Sequence, residues 1–454
     1  MLTSKGRAMN RHSTIAKNPE LSLRYLPTDT IKPDPANPRS HKPSQISAIA
    51  RSIETFGFNV PLLVDEELRI IAGHGRLAAA KKIGLHEVPT IGIGHLSDQQ
   101  RKAYMIADNR LTDLSRWDDQ LLGEVLRDLS VADLDFDLDA IGFSVGEIDF
   151  RIEGLGDSKN SDPADALIAL EEIAVTVVGD LWQLGSHRLL CGSALDGAAW
   201  ERLMNGRRAD VGFTDPPYNV KINGHVSGLG KVEHREFAMA SGEMSRGEFT
   251  DFLLSTFRLM AEHSRPASIH FAAIDWAHSS EMTSAGEAAF TELKNICVWV
   301  KPAGGMGSLY RSQHEMFYVW KSGRGRHQNN VELGRNGRNR TNVWFYPGIG
   351  AFRHSEGGDL LGDHPTSKPV ALVADAILDV SKRGDLVIDP FMGSGTTIIA
   401  AERVGRKAFG MDLDPRYVDA TIRRFEKLTG QIVLHESGVS FADVSAQRRL
   451  GEAA

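Results

Sequence analysis

Apolar and polar positions alternate with different periods along the chain, and the changes of period mark its elements. Between residues 26 and 122 the pattern is compact and mixed: extended segments over 61–64 and 69–72, then a helical run over 76–82 that stops at Gly84. Apolar periodicity fades after residue 149 and resumes as short strands over 180–184 and 187–192. Residues 209–214 read as a buried strand that halts at Asp215-Pro216-Pro217-Tyr218, because two prolines cannot continue a hydrogen-bonded ladder. Further on, a strand over 385–389, a glycine-bearing turn over 391–397, a helix over 397–404 and a strand over 407–413 compose a βαβ unit. A last helix starts at Asp414-Pro415 and runs to about Leu428. Ligands of open α/β sheets bind beyond the carboxyl ends of the strands, so the Pro-Pro stop and the glycine turn both fall where a site is expected.

Composition adjusts this picture in three places. A chain of 454 residues with 41% apolar and 24% charged positions is expected to hold two or three globular units. No apolar run approaches the roughly 18 residues of a spanning helix, and residues 1–22 lack the apolar core of a secretory signal, so a flexible lead-in and a cytoplasmic protein without membrane contact are expected. The net charge of -7 is unevenly spread. Acid concentrates over 133–172, which reads as an acidic linker, whereas residues 321–340 hold Arg324, Arg326, Arg335, Arg338 and Arg340 among glycines and asparagines, opposed only by Glu332. These features divide the chain into a lead-in (1–22), a small α/β domain (23–125), an acidic linker region (126–175), a larger α/β domain (176–430) and a tail (431–454).

Within the small domain, Gly73-His74-Gly75-Arg76 lets the backbone approach a phosphate, and the helix it opens offers N-terminal amides to an anion. With Asn37-Pro38-Arg39 and Asp108-Asn109-Arg110, these residues resemble the ParB-like nuclease family over about a hundred positions. Members of that family bind DNA, bind or hydrolyse nucleotides such as CTP, or cut DNA. The motif does not choose among these, so a nucleotide is one expected partner of this domain.

The larger domain carries more specific chemistry. Asp389-Pro390-Phe391-Met392-Gly393-Ser394-Gly395-Thr396-Thr397 joins strand to helix with glycines where main chain must come close to a ligand. Asp412 ends the next strand, about where a carboxylate accepts ribose hydroxyls. No Gly-Lys-Ser/Thr follows, which excludes a P-loop; a nucleoside fits the spacing. The tetrad supplies the complement. An exocyclic base amine is a poor nucleophile because its lone pair is delocalised into the ring. The Asp215 carboxylate and the Pro216 carbonyl can draw its hydrogens and turn the lone pair toward a methyl donor, Pro217 stiffens the turn, and the Tyr218 ring can stack on an extruded base.

Together these elements resemble the amino-group DNA methyltransferases of the permuted β class, over about residues 179–430, with the tetrad preceding the cofactor loop. The resemblance implies a Rossmann-like α/β sheet in permuted order, S-adenosylmethionine as cofactor and double-stranded DNA as partner, and leaves a homodimer open. It assigns Asp389, Phe391, Gly393, Ser394, Gly395, Thr396 and Asp412 to the cofactor. His364-Pro365-Thr366-Ser367-Lys368-Pro369 matches the family's preceding element, placing Thr366 and Lys368 at the methionine end, where an ammonium pairs with a carboxylate. Trp299 to Lys301 and Tyr310-Arg311-Ser312-Gln313-His314-Glu315 match the central region. Where many relatives have Gly-Asp after the first strand, this chain has Gly192-Ser193, so the expected adenine contact is either weaker or moved to Asp196.

Target recognition is expected within about 219–363, with the arginines of 324–340 on DNA phosphates and residues 223–232 as a loop closing over the flipped base. Asp at position 215 favours adenine N6 over cytosine N4. Cytosine C5 chemistry needs a nucleophilic thiolate, and neither Cys191 nor Cys297 follows a proline. The reading from another class is a ParB-like DNA-binding regulator with an inert methylase core.

Overall fold

The computed structural model describes residues 21–114, 117–132, 134–153, 162–220, 242–301, 304, 309–332, 340–347 and 367–452. They fall into two compact units, Met1–Val125 with Ala132–Ser144, and Leu126–Val131 with Val145–Ala454.

The first unit follows the expected pattern closely. Its elements are β1 (Leu23–Pro27), α1 (Pro43–Phe56), β2 (Leu62–Val64), β3 (Ile70–Ala72), α2 (His74–Lys82), β4 (Glu87–Gly92) and α3 (Asp98–Asp113). The strands pair in the order β1-β4-β2-β3 over a core of Ile31, Leu62, Val64, Ile70, Leu77 and Val88. α2 starts two residues earlier than its apolar pattern, at His74, because Gly73 caps it with φ +102, and a Cβ there would strike Leu62. Arg39 donates to the Asn109 side chain at 3.0 Å, so two of the ParB-like motif segments meet in space.

The second unit is a ten-stranded sheet in the order β11-β9-β10-β8-β7-β12-β13-β6-β5-β14. Its strands are β5 (Leu181–Leu184), β6 (His187–Cys191), β7 (Ala209–Thr214), β8 (Ser264–Ile274), β9 (Glu292–Val300), β10 (His314–Lys321), β11 (Val343–Phe345), β12 (Leu386–Asp389), β13 (Lys407–Asp412) and β14 (Leu434–His435). The central five, β8-β7-β12-β13-β6, are parallel and read as continuous apolar runs because helices cover both faces. Side chains alternate between two cores: Val387 and Phe213 face one, Ile388 and Ala272 the other. From β7 the chain proceeds to β8 on one side, and from β12 to β13 on the other, so strand order reverses between β7 and β12. That reversal opens a crevice at their carboxyl ends.

Three expectations about organisation change. The stretch read as an acidic linker takes in the end of α4 (Asp119–Val131) and all of α5 (Val145–Glu153), and its acids are not merely solvated. Asp149 is 2% exposed and paired with Arg406 at 2.9 Å and Arg383 at 3.2 Å; Asp162 pairs with Arg403 at 2.6 Å; Asp165 accepts the amide of Val370 at 2.8 Å. The expected tail also belongs to the sheet unit: β14 pairs with β5, Phe441 and Val444 of α12 (Phe441–Glu452) are core residues, and Arg448 holds Asp180. Finally, much of the expected recognition segment is sheet and helix, namely β8 to β11 with α7 (Arg246–Glu262) and α8 (Ser279–Ala289). A capping box of Ser245 and Glu248 announces α7 in the sequence.

No described helix is long and apolar enough to cross a membrane.

Candidate active site

Both sequence motifs lie where the crevice opens. Asp215-Pro216-Pro217-Tyr218 follows β7 and the glycine turn follows β12, on adjacent parallel strands. Two consecutive residues tie them together. The Ser367 hydroxyl lies 3.0 Å from that of Ser394 in the glycine turn, and the Lys368 ammonium lies 2.5 Å from Asp215 Oδ2. They precede α9 (Val370–Val380), whose first turn is fixed by Asp165.

Around the tetrad the charges are dense. Tyr218 donates its hydroxyl to Asp215 Oδ1 at 2.7 Å, and Lys368 sits 5.5 Å above the Tyr218 ring. Lys368, 4% exposed, also pairs with Glu315 at 3.1 Å, and Lys301 pairs with the other oxygen of Glu315 at 2.5 Å. Burial alone would raise the Glu315 carboxyl, yet Lys368 and Lys301 bring it down to about 2. Burial pushes Asp215 up, Lys368 opposes this, and the charge of Glu315 adds to it. The Tyr218 phenol is driven well above its usual range by burial and then by the two carboxylates, so it remains a hydrogen-bond donor. Lys368 was expected to face the cofactor carboxylate; here it spans two carboxylates of the protein. Asn219, at φ 55, accepts the amides of Gly242 and Met244 and donates to the Met244 carbonyl at 2.8 Å. It thereby joins the two sides of residues 221–241.

The glycine turn is built for close approach. Gly393 (φ +53) faces open space where a Cβ would stand, and Gly395 (φ +82) is packed so closely that a Cβ would strike Thr421. These features suit a ligand laid along the backbone. Asp412 Oδ2 accepts the Gly393 amide at 2.8 Å and Oδ1 the Asp414 amide at 2.9 Å, each oxygen keeping a lone pair for a hydroxyl. Burial pushes Asp412 up to about 6. Asp389 turns inward instead: it accepts the Thr397 hydroxyl at 2.6 Å and the Phe391 amide at 3.1 Å, and burial pushes it up to about 8. Its role is to shape the turn. Phe391 packs on Phe252, with ring centroids 5.7 Å apart. Arg424, buried in α11 (Pro415–Thr429), donates to the Ser394 carbonyl at 2.7 Å and reaches the Thr396 hydroxyl at 3.3 Å, clamping the turn from behind. α10 (Thr396–Arg403) then leads away from it. Asp196 caps α6 (Gly197–Met204) through the Ala198 amide.

The remaining expected residues divide. Arg324 and Arg326 are exposed, Arg326 lying 3.6 Å from Glu332. Arg340 is not a surface cation: Asp375 at 2.9 Å, Asp379 at 2.8 Å and the Tyr346 hydroxyl at 2.6 Å enclose it. Thr366, Arg335, Arg338 and the loop at 223–232 lie outside the described residues. Cys191 and Cys297 are buried, and burial raises each thiol to about 12, so neither offers a thiolate.

Sequence comparisons bear on this geometry directly. Residues 209–423 match the DNA methylase family of the N6/N4 class, residues 12–110 the ParB N-terminal domain, and residues 120–178 the ParB-methyltransferase HTH domain. The chain is 28% identical over 235 residues to Type II methyltransferase M2.DpnII of Streptococcus pneumoniae, covering 49% of this chain and 84% of that one. It is 37% identical over 83 residues to the ParB-like nuclease domain-containing protein YnaK of Escherichia coli (strain K12), covering 18% of this chain and 95% of that one. Among solved structures, the PvuII DNA methyltransferase (cytosine-N4-specific) aligns at a TM-score of 0.41 and 16% identity, covering 58% of this chain and 93% of that one. The sheet unit is thus a DNA methyltransferase using S-adenosylmethionine. The chain carries a DNA methylase domain of the N6/N4 class, joined to a ParB N-terminal domain and a ParB-methyltransferase HTH domain.

Proposed function

We propose that the chain methylates N6 of adenine at a specific site in double-stranded DNA, in the cytoplasm, on a base flipped out of the helix. The observation that carries this reading is the junction of Ser367 with Ser394 and of Lys368 with Asp215, which puts the glycine turn and the tetrad on one crevice. When bound, S-adenosylmethionine supplies an electrophilic methyl group on a sulfonium. The glycine turn lays its backbone along the nucleoside half, and Asp412 accepts a ribose hydroxyl. Asp215 accepts one hydrogen of the base amine and the Pro216 carbonyl the other, so the nitrogen lone pair turns toward the methyl carbon. Tyr218, partly buried against the core, covers a face of the base. A carboxylate at position 215 supports adenine. Arg324 and Arg326 supply phosphate contacts. In the first unit, the hydrogen bond of Arg39 to Asn109 and the electrostatic interaction of Arg76 with Asp108 link the three motif segments, which supports a phosphate-bearing ligand.

The test is incubation with labelled S-adenosylmethionine and duplex DNA, followed by digestion to nucleosides. Label is expected in N6-methyl-2′-deoxyadenosine; label in N4-methyl-2′-deoxycytidine overturns the choice of base.

A further inference from the structure

Both oxygens of Asp215 are engaged, Oδ1 by Tyr218 and Oδ2 by Lys368. Each oxygen keeps a second lone pair, but the Lys368 ammonium 2.5 Å from Oδ2 competes with an incoming amine for that oxygen's charge, so the amine is held more strongly as the ammonium withdraws. Glu315, at the start of β10 opposite Trp299 of β9, lies near both donors, 3.1 Å from Lys368 and 3.4 Å from the Tyr218 hydroxyl, and the charged donor gains more from a second carboxylate. Glu315 is 7% exposed, its second oxygen is held by Lys301, and Lys301 rests 5.3 Å from the Trp299 ring. Two carboxylates and two ammoniums therefore share one cluster, buried at Lys368 and Glu315 and partly exposed at Asp215 and Lys301. Withdrawing a buried ammonium from a lone carboxylate would leave two uncompensated charges. Shifting it between two carboxylates does not.

We propose that Glu315 is a positioning residue that takes up the Lys368 ammonium as the base amine claims Asp215 Oδ2, so that the site opens by sliding one cation between two acids. Lys301 keeps the cluster neutral in both arrangements. The inference rests on the methyl-transfer reading above but holds for adenine or cytosine alike.

The experiment is a double-mutant cycle in the full chain, reading kcat, KM for each substrate and the kcat–pH profile, with S-adenosylmethionine affinity as the check on folding. Wild-type methylation is the control, and its absence defeats the methyl-transfer reading alone. Glu315→Gln leaves Lys368 bound to Asp215, so kcat is expected to fall by about thirtyfold or more while KM for S-adenosylmethionine moves less than about twofold. The acid limb of kcat is expected to move to lower pH, since the Glu315 charge raises Asp215 and its loss lets Asp215 ionise more easily. A merely structural role would lower the plateau and leave the limb in place. In the Lys368→Met background no cation remains to be moved, and Glu315→Gln is expected to cost less than about threefold. Wild-type kcat for Glu315→Gln overturns the proposal, as do equal costs in both backgrounds. Should the single variant lose S-adenosylmethionine binding, Lys368→Met against the double variant still decides: a further drop above about tenfold overturns it.

Discussion

At the scale of single residues, the tetrad concentrates its chemistry in two side chains that touch. Asp215→Ala removes the acceptor and is expected to lower kcat by about a hundredfold or more while cofactor affinity persists, in line with loss of one preorganised group at a reacting centre. Label transfer with isothermal titration of S-adenosylmethionine checks it, and undiminished transfer would remove Asp215 from the mechanism. Tyr218→Phe keeps the ring and should cost less than about tenfold, whereas Tyr218→Ala loses stacking worth roughly 1 to 3 kcal/mol and should cost more. Equal losses would assign the hydroxyl, not the ring. Asp215 and Tyr218 are legible in sequence because they are consecutive with two prolines. Glu315, Lys301, Arg424 and Asn219 are harder to read, since each meets the site through strand register or a distant helix. Only the match of the segments around Trp299 and Glu315 to the family's central region marks the first two.

The turn after β12 makes a prediction at the scale of an element. Asp389 holds its proton in the fold to about pH 8, against an ordinary value of 3.8. Between those values the folded state binds more protons than the unfolded one, so this group's contribution to stability falls as pH rises from about 4 to 8. Asp389→Asn is expected to flatten that decline, gaining on the order of 1 to 3 kcal/mol at pH 9 relative to pH 5. Thermal melts of both proteins across that range check it, and parallel curves would refute it. The basic loop makes another. Arg340→Ala removes the guanidinium that Asp375 and Asp379 share, and should lower stability by roughly 3 to 5 kcal/mol, as when one partner of a buried pair is removed. Arg326→Ala should leave stability alone and reduce the salt dependence of DNA binding by about one phosphate contact. A reversal of these two outcomes would show that the arginines had been sorted wrongly. A run of like charges in sequence cannot separate them, because Asp375 and Asp379 reach Arg340 from a helix more than thirty positions away.

Across the whole molecule, the parallel core was the legible part: β6, β7, β12 and β13 all stand within a residue or two of their expected bounds, because strands covered on both faces are apolar throughout. In the antiparallel half the pattern is interrupted: β9 opens with four exposed positions, and the apolar run Met316–Trp320 of β10 is flanked by Glu315 and Lys321. The acidic stretch misled for a related reason. Acidic composition signals solvation unless each acid finds a cation, and here Arg383, Arg403 and Arg406 lie more than two hundred positions downstream. Asp149→Ala is accordingly expected to lower the melting temperature, at a cost of about 3 to 5 kcal/mol for an orphaned buried guanidinium. A solvated linker residue would give no change.

The side chain of Asn219 fastens the chain immediately before residue 221 to the chain immediately after residue 241. Whatever replaces that stretch begins and ends at the same knot, so its length and composition can vary without shifting the strand end that carries Asp215. Exchanging residues 221–241 for a stretch of another length is therefore expected to leave S-adenosylmethionine affinity unchanged, because both chain ends stay fastened at Asn219.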